Sequence, residues 1–490
     1  MSFKRQVAYN TTVQVIGKAI VTLLSVFATI LLTRHLGPTG YGYYNTAVTF
    51  VGFFIVLADL GVYPILVREM SQRPEERERI YGNIVVYRTL SALLVMLLAF
   101  LVGSLMPYPQ IVKFAIGIYA LASFFGLLVN LVMAVFQINY RMDLPTISDV
   151  LGRALYLFLL FFGLQRGYGL YGIFWLLVLT TIFNLILNLV LGRRYIKFKP
   201  AFEFPFIKEF FKESLPMGLV TILGMIHFKI DTILLSVMKP AYDVGLYGAA
   251  YRIFENLIII PGIFVGLMFP KFSELYIQDR NILKNTFQKT IDILILAVMP
   301  ILILFFLLSP YLIQIIAGSD FAPSALALRI LVFSLPFTFL ISPFSYLLVA
   351  SKKQTRLIYV WGAMSILNIV LNLIYIPKYS YRGAAAITVV TEMLTLITLY
   401  ILVNKSLNIW PKFGYLFKII LPSLILGIGF YFLSKSQIFN LTYFINHSLI
   451  IQIIIVIIVL LLGLLIFLAL LLLFRVIRKD EILEIIKIRQ

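Results

Sequence analysis

Apolar runs of about twenty residues recur along nearly the whole chain, parted by short polar joints. They fall at about 12–33, 42–67, 81–106, 111–138, 147–164, 169–192, 208–238, 245–277, 285–308, 323–350, 354–376, 382–404, 413–434 and 448–474. A helix of that length spans the hydrocarbon of a bilayer. The pattern therefore predicts an all-α integral membrane protein with about fourteen transmembrane helices. No polar stretch is long enough to fold as a separate aqueous domain; the longest, near 68–80 and 193–213, read as loops or juxtamembrane helices.

The joints carry the orientation. Arg68, Arg73, Arg77 and Arg79 follow helix 2; Arg193, Arg194, Lys197 and Lys199 follow helix 6. Lys271, Arg280, Lys284 and Lys289 follow helix 8, and Lys352, Lys353 and Arg356 follow helix 10. The tail holds Arg475, Arg478, Lys479, Lys487 and Arg489, whereas the other joints hold only scattered cations such as Arg34, Arg166, Lys239, Lys378 and Lys435. By the positive-inside rule both termini are cytoplasmic, in the cell membrane, and an even helix count agrees. Lys4 and Arg5 precede a helix too long for a signal sequence, which is expected to be retained.

Composition agrees: 61% of residues are hydrophobic and only 13% charged, against about a quarter charged in soluble domains. The net charge of +20 follows the alternate joints, so it points to membrane topology rather than nucleic acid. The absence of cysteine excludes disulfides and thiolate chemistry. His35, His227 and His447 are scattered, no GxxxxGK[ST] loop occurs, and no cofactor or metal is expected. Asn440-x-Thr and Asn446-x-Ser match the short glycosylation pattern, a match that often arises by chance.

An internal echo organises the chain. "LLTRHLGPTGYGYYNTAV" (31–48) matches "LLSVMKPAYDVGLYGAAY" (234–251) in its paired leucines, its turn and its Gly-x-Tyr entry to the next helix. "RGYGLYGIF" (166–174) similarly echoes "PKYSYRGAA" (377–385). Both offsets are about two hundred residues, so each copy holds six helices of one topology, a parallel repeat typical of transporters. The expected divisions are an N-lobe at 1–200, a C-lobe at 201–405 and a peripheral pair with a basic tail at 406–490.

Charges inside the apolar runs are the candidate chemistry. "HFKIDTILLSV" (227–237) places His227, Lys229 and Asp231 within five residues of a membrane helix. A charge at mid-helix costs roughly 2.5–3.5 kcal/mol on the insertion scale. Such residues usually face a protein-lined path and act there, though the same charges also serve as ties between helices. Lys229, Asp231, Arg252, Glu255 and Arg329 fall in the outer half of their helices; Asp59, Arg88 and Arg153 fall nearer the cytoplasmic half, and Glu392 falls at mid-span. Arg252 and Glu255 share a helix face, whereas Lys229 and Asp231 do not. Prolines 216, 261, 270, 300, 336 and 343 fall within helices 7–10, where bends would let the second lobe rock.

Four stretches together resemble the oligosaccharide-lipid flippases of the MOP exporter superfamily, the O-antigen flippase type. They are "TRHLGPTGYGYYN" (33–45), "DLGVYPILVRE" (59–69), the helix 7–8 region at 230–275, and "IIAGSDFAPSALALRILVFSLPF" (315–337). The resemblance implies two six-helix lobes around a hydrated cavity, two peripheral helices, and a substrate that is a polyprenyl- or dolichyl-pyrophosphate-linked oligosaccharide. Peptidoglycan-precursor flippases, by contrast, carry cavity arginines in their first two helices. Here helix 1 offers Lys18 and the terminal Arg34, and helix 2 offers Asp59.

The function expected is therefore lipid-linked oligosaccharide translocation by alternating access, without catalysis. Guanidinium forks suit phosphate oxygens, which makes Arg88, Arg153, Lys229, Arg252 and Arg329 the substrate-binding candidates. Asp59, Asp231, Glu255 and Glu392 are the ion-coupling candidates for Na+ or H+. Potential alone would also serve: moving two negative charges outward gains ~4.6 kcal/mol per 100 mV. Membrane lipids are the other partners expected, and the chain is expected to be monomeric. The rivals are a drug or organic-cation antiporter, whose cavity should be net acidic, a peptidoglycan-precursor flippase, and a membrane enzyme, which would need longer external loops.

Overall fold

The computed structural model describes residues 3–195, 197, 199–434, 441–474 and 476. Lys435, Asn440 and the tail cations Arg475, Arg478, Lys479, Lys487 and Arg489 lie outside the described residues. The described elements are all helical: α1 (Phe3–Asp59), α2 (Val62–Gln72), α3 (Arg77–Leu105), α4 (Gln110–Ile138), α5 (Asp143–Gln165), α6 (Leu170–Gly192), α7 (Phe204–Met238) and α8 (Ala241–Gln278). They continue as α9 (Arg280–Ala317), α10 (Ser324–Val332), α11 (Leu335–Ala350), α12 (Thr355–Leu407), α13 (Gly414–Ser434), α14 (Leu441–Ile445) and α15 (Leu449–Leu473). Eleven of the described helices are long and apolar enough to cross a membrane, or twelve when α10 and α11 count as one bent span.

Two of these helices are interrupted. α1 breaks at Gly37 (φ 63°, ψ 179°), just before Pro38. α12 breaks at Ser380 (φ 52°, ψ −138°), three residues after Pro377. Proline supplies no N–H to continue the ladder, and a residue with positive φ turns the chain aside. Both breaks lie in echoing stretches, and the other two echoes fall on the α5–α6 and α7–α8 joints. All four are corners.

Two expected single helices are each two. The run at 42–67 is cut by consecutive positive φ values at Leu60 (40°) and Gly61 (75°), where α1 ends and α2 begins. The run at 323–350 is α10 and α11, bent by 42°. Pro336 therefore opens α11 rather than kinking a helix interior, while Pro216, Pro261, Pro270, Pro300 and Pro343 do lie inside helices.

The chain divides into two compact units, Met1–Gly245 and Leu246–Gln490. In the first, α4 is the central helix: it packs on α1, α2, α3 and α6, and half of its most apolar window is buried. Its sequence is apolar on every side, as a helix surrounded by others requires. α7 packs against α1, α2 and α3 and so belongs to this unit. In the second unit α9 holds that place, touching α10, α11, α13 and α15. α15 lies outside it, with a mean hydropathy of 3.7 and only 22% of that window buried, as a lipid-facing helix should.

Candidate functional site

Arg88, in the middle of α3's first half, is 1% exposed. Its guanidinium donates to the Ala58 carbonyl and, at 2.6 Å, to Asp59 Oδ1. Those acceptors are the last residues of α1, whose final carbonyls have no intrahelical partner because the chain turns at Leu60–Gly61. A cation there also meets the negative end of the helix dipole. Arg88 and Asp59, expected in different roles, thus form one tie that closes α1. Beside it Gly218 of α7 lets the Leu60 backbone approach: a Cβ there would stand 2.7 Å from Leu60 Cα.

The "HFKID" stretch sits in the C-terminal half of α7. His227 and Asp231 are one turn apart and both buried, at 4% and 3% exposed, and Leu235 continues the same stripe. Asp231 Oδ1 accepts the Thr232 backbone N–H at 2.6 Å and its hydroxyl at 3.2 Å. Lys229 points off this stripe and is half-buried. One helix therefore turns its carboxylate inward and its ammonium aside.

In the second unit, Arg252 Nη1 meets Glu255 Oε2 at 3.4 Å, one turn apart along α8 and both partly exposed. Arg329 lies in the last turn of α10, with its guanidinium 5.5 Å above the Phe306 ring and Nε 3.3 Å from the Phe306 carbonyl. Glu392 is 2% exposed in α12. The neighbouring Thr391 accepts from Asn368 Nδ2 at 3.2 Å, and Asn372 Nδ2 donates to Asn368 Oδ1 at 2.8 Å. Arg153 is exposed on α5, near Asp149. Lys18 and Arg34 are exposed. Among the described residues no three His, Asp or Glu side chains stand close enough to hold a metal.

Two polar assemblies were not singled out from the sequence. Ser148 donates to Asn184 Oδ1 at 2.6 Å, Asn188 Nδ2 donates to the Ser148 hydroxyl at 2.7 Å, and Asn184 reaches Asp149 at 3.2 Å, joining α5 to α6. Their signal was small polar residues at helical spacing, which charge-seeking overlooks. The other is a layer of ion pairs: Arg68 with Glu69 and Glu213, Arg79 with Glu203, and Lys199 with Glu78 at 2.7 Å. It fastens the α2–α3 joint to the segment entering α7. Glu203, just outside α7, has its carboxyl held down at about 2, mainly by the hydrogen bond from Arg79.

Known proteins share this architecture. A family model described as "Polysaccharide biosynthesis protein" matches residues 5–276, and one described as "MatE" matches 216–374. A Shigella flexneri protein named for O-antigen transport is 23% identical over 416 residues, covering 80% of this chain and 97% of its own. The Staphylococcus aureus capsular polysaccharide biosynthesis protein CapF is 23% identical over 391 residues, covering 78% of this chain and 95% of its own. Among solved structures, the lipid II flippase MurJ in an inward closed conformation superposes with a TM-score of 0.77 at 17% identity, covering 94% of this chain and 98% of that one.

Proposed function

The chain belongs to the polysaccharide biosynthesis protein family, and on that premise we propose that it is a flippase, carrying a lipid-linked oligosaccharide across the cell membrane by alternating access. The observation that carries this reading is similarity, over 80% and 78% of this chain, to proteins named for O-antigen transport and capsular polysaccharide biosynthesis. The helical fold it shares with a lipid II flippase supports the same class of cargo, a charged sugar head on a lipid tail. The chemistry performed is translocation, not bond making.

Counting each half of α1 and of α12 as a span, and α10 with α11 as one, supports fourteen crossings. The even number and the basic joints support cytoplasmic termini. The division of the repeats is then 1–200 and 201–405, with 406–490 as a peripheral pair.

Among the candidate cations, Arg88 serves the α1 terminus. The pyrophosphate falls to Lys229, Arg252, Arg329 and Arg153, none of them fully buried. We assign the coupling of Na+ or H+ to Asp231, Glu255 and Glu392, whereas Asp59 is held by Arg88. The MatE match at 216–374 favours a second reading, organic-cation antiport.

Flipping of a lipid-pyrophosphate-linked oligosaccharide in proteoliposomes under an imposed potential tests both readings, with efflux of an organic cation measured in parallel. Flipping by the native chain and its loss in Arg252→Ala support the proposal. Cation efflux with no flipping of any glycolipid, including a peptidoglycan precursor, overturns it.

A further inference from the structure

A groove of about 530 Å³ opens in the second unit where α9 begins and α13 begins. Its cationic lining is Lys284 of α9, Lys412 of the α12–α13 linker and Lys418 of α13, against a single carboxylate, Asp292. The linker is clamped to α9: Gln288 Nε2 donates to the Lys412 carbonyl at 2.8 Å, and the Lys412 N–H donates to Gln288 Oε1 at 2.7 Å. That two-point bridge fixes Lys412 and the adjacent Trp410, whose ring is 63% exposed and stands edge-on to Tyr400.

We propose that this groove binds the phosphate of an anionic phospholipid, distinct from any transported substrate. Three ammonium groups against one carboxylate make the site an anion acceptor. α13 starts at Gly414 on its rim, adding the positive end of a 21-residue helix. A lipid rather than free phosphate is indicated by what adjoins it. Phe417, Leu421, Leu424 and Ile428 form one exposed apolar stripe along α13, leading from the groove along the membrane span. An acyl chain lies along such a stripe while its head group meets the lysines. A tryptophan beside lysines at the end of a membrane helix also suits the head-group level of a bilayer.

The chain's three tryptophans allow a direct test. In a Trp175→Phe, Trp361→Phe background, Trp410 is the sole reporter. The protein is placed in nanodiscs of neutral lipid carrying a small fraction of acyl-brominated lipid, either anionic or neutral. The expected result is quenching at an apparent local concentration roughly tenfold higher for the anionic lipid. That preference is expected to fall away in the Lys284→Gln, Lys412→Gln, Lys418→Gln variant and to survive in Lys289→Gln, an exposed lysine of α9 outside the groove. The single variant Lys412→Gln is expected to lose part of it, so the result does not hang on one triple substitution. Equal quenching by both lipids overturns the proposal, as does a preference that persists in the triple variant or vanishes in Lys289→Gln. Millimolar inorganic phosphate, at matched ionic strength, is expected to leave the preference intact; its abolition would make the occupant a free anion and overturn the lipid assignment.

Discussion

Gly42 and Gly245 meet backbone to backbone at the corners that open the two echoing stretches. A Cβ on Gly42 would stand 1.8 Å from the Ala241 carbonyl oxygen, and one on Gly245 would stand 1.9 Å from that of Pro38. Each would also come within 3.1 Å of the other glycine's nitrogen. In the echoing stretches Pro38 matches Ala241 and Gly42 matches Gly245, so the contact is reciprocal.

Helices in lipid gain little from apolar burial against one another, so close backbone approach through small residues carries their packing. Gly42→Ala or Gly245→Ala must push a carbonyl aside, at a cost of about 1–3 kcal/mol for overpacking. Thermal unfolding in detergent should show both variants destabilised. Gly262→Ala, with no atom within 4 Å of its new Cβ, should match the native chain. Equal stability of all three would dismiss the contact.

Arg88→Ala leaves the Ala58 carbonyl and the partly exposed Asp59 without their guanidinium. The charge left behind is the partly exposed one, so the loss should fall below the figure of about 3–5 kcal/mol for stranding a buried charge. Asp59→Asn should cost more, because it strips the fully buried Arg88 guanidinium of its counter-charge, whereas an unpaired Asp59 side chain is 28% exposed. A double-mutant cycle on unfolding midpoints measures the coupling; a coupling of zero would make Arg88 free for other work.

Glu203 predicts a pH signature. Its folded-state pKa, about 2, lies below that of a free carboxyl near 4.3. The tie to Arg79 therefore adds stability fully above about pH 4.5, and that stability fades as pH falls towards 2. The native chain should unfold at a higher temperature than Glu203→Gln at pH 7, with the gap closing on acidification. A gap that stayed constant down to pH 3 would contradict it.

The Ser148–Asn184–Asn188 ladder should matter less than its burial suggests. Interhelical hydrogen bonds in membrane proteins average about 0.6 kcal/mol, because the alternative state also finds partners. Asn188→Ala should therefore shift the unfolding midpoint only slightly, and a loss above about 2 kcal/mol would mark the ladder as a cooperative network.

The all-helical membrane class was legible in the chain itself, and the reason is local. A backbone crossing hydrocarbon must satisfy its own hydrogen bonds, so about twenty apolar residues in a row already specify a helix. The corners were legible too, since Gly37–Pro38 and the stretch after Pro377 interrupt that local ladder. What the chain could not display is which residues meet across elements. Asp59 and Arg88 are twenty-nine positions apart, and read singly Arg88 looked like a substrate ligand and Asp59 like an ion-coupling carboxylate. Only the turn at Leu60–Gly61, packed on Gly218, leaves the end of α1 open for Arg88 to close. The inward face of Asp231, the bend before Pro336 and the reciprocal glycines follow likewise from how helices distant in sequence pack. Periodicity along one segment carries no information about the partner that packing will bring.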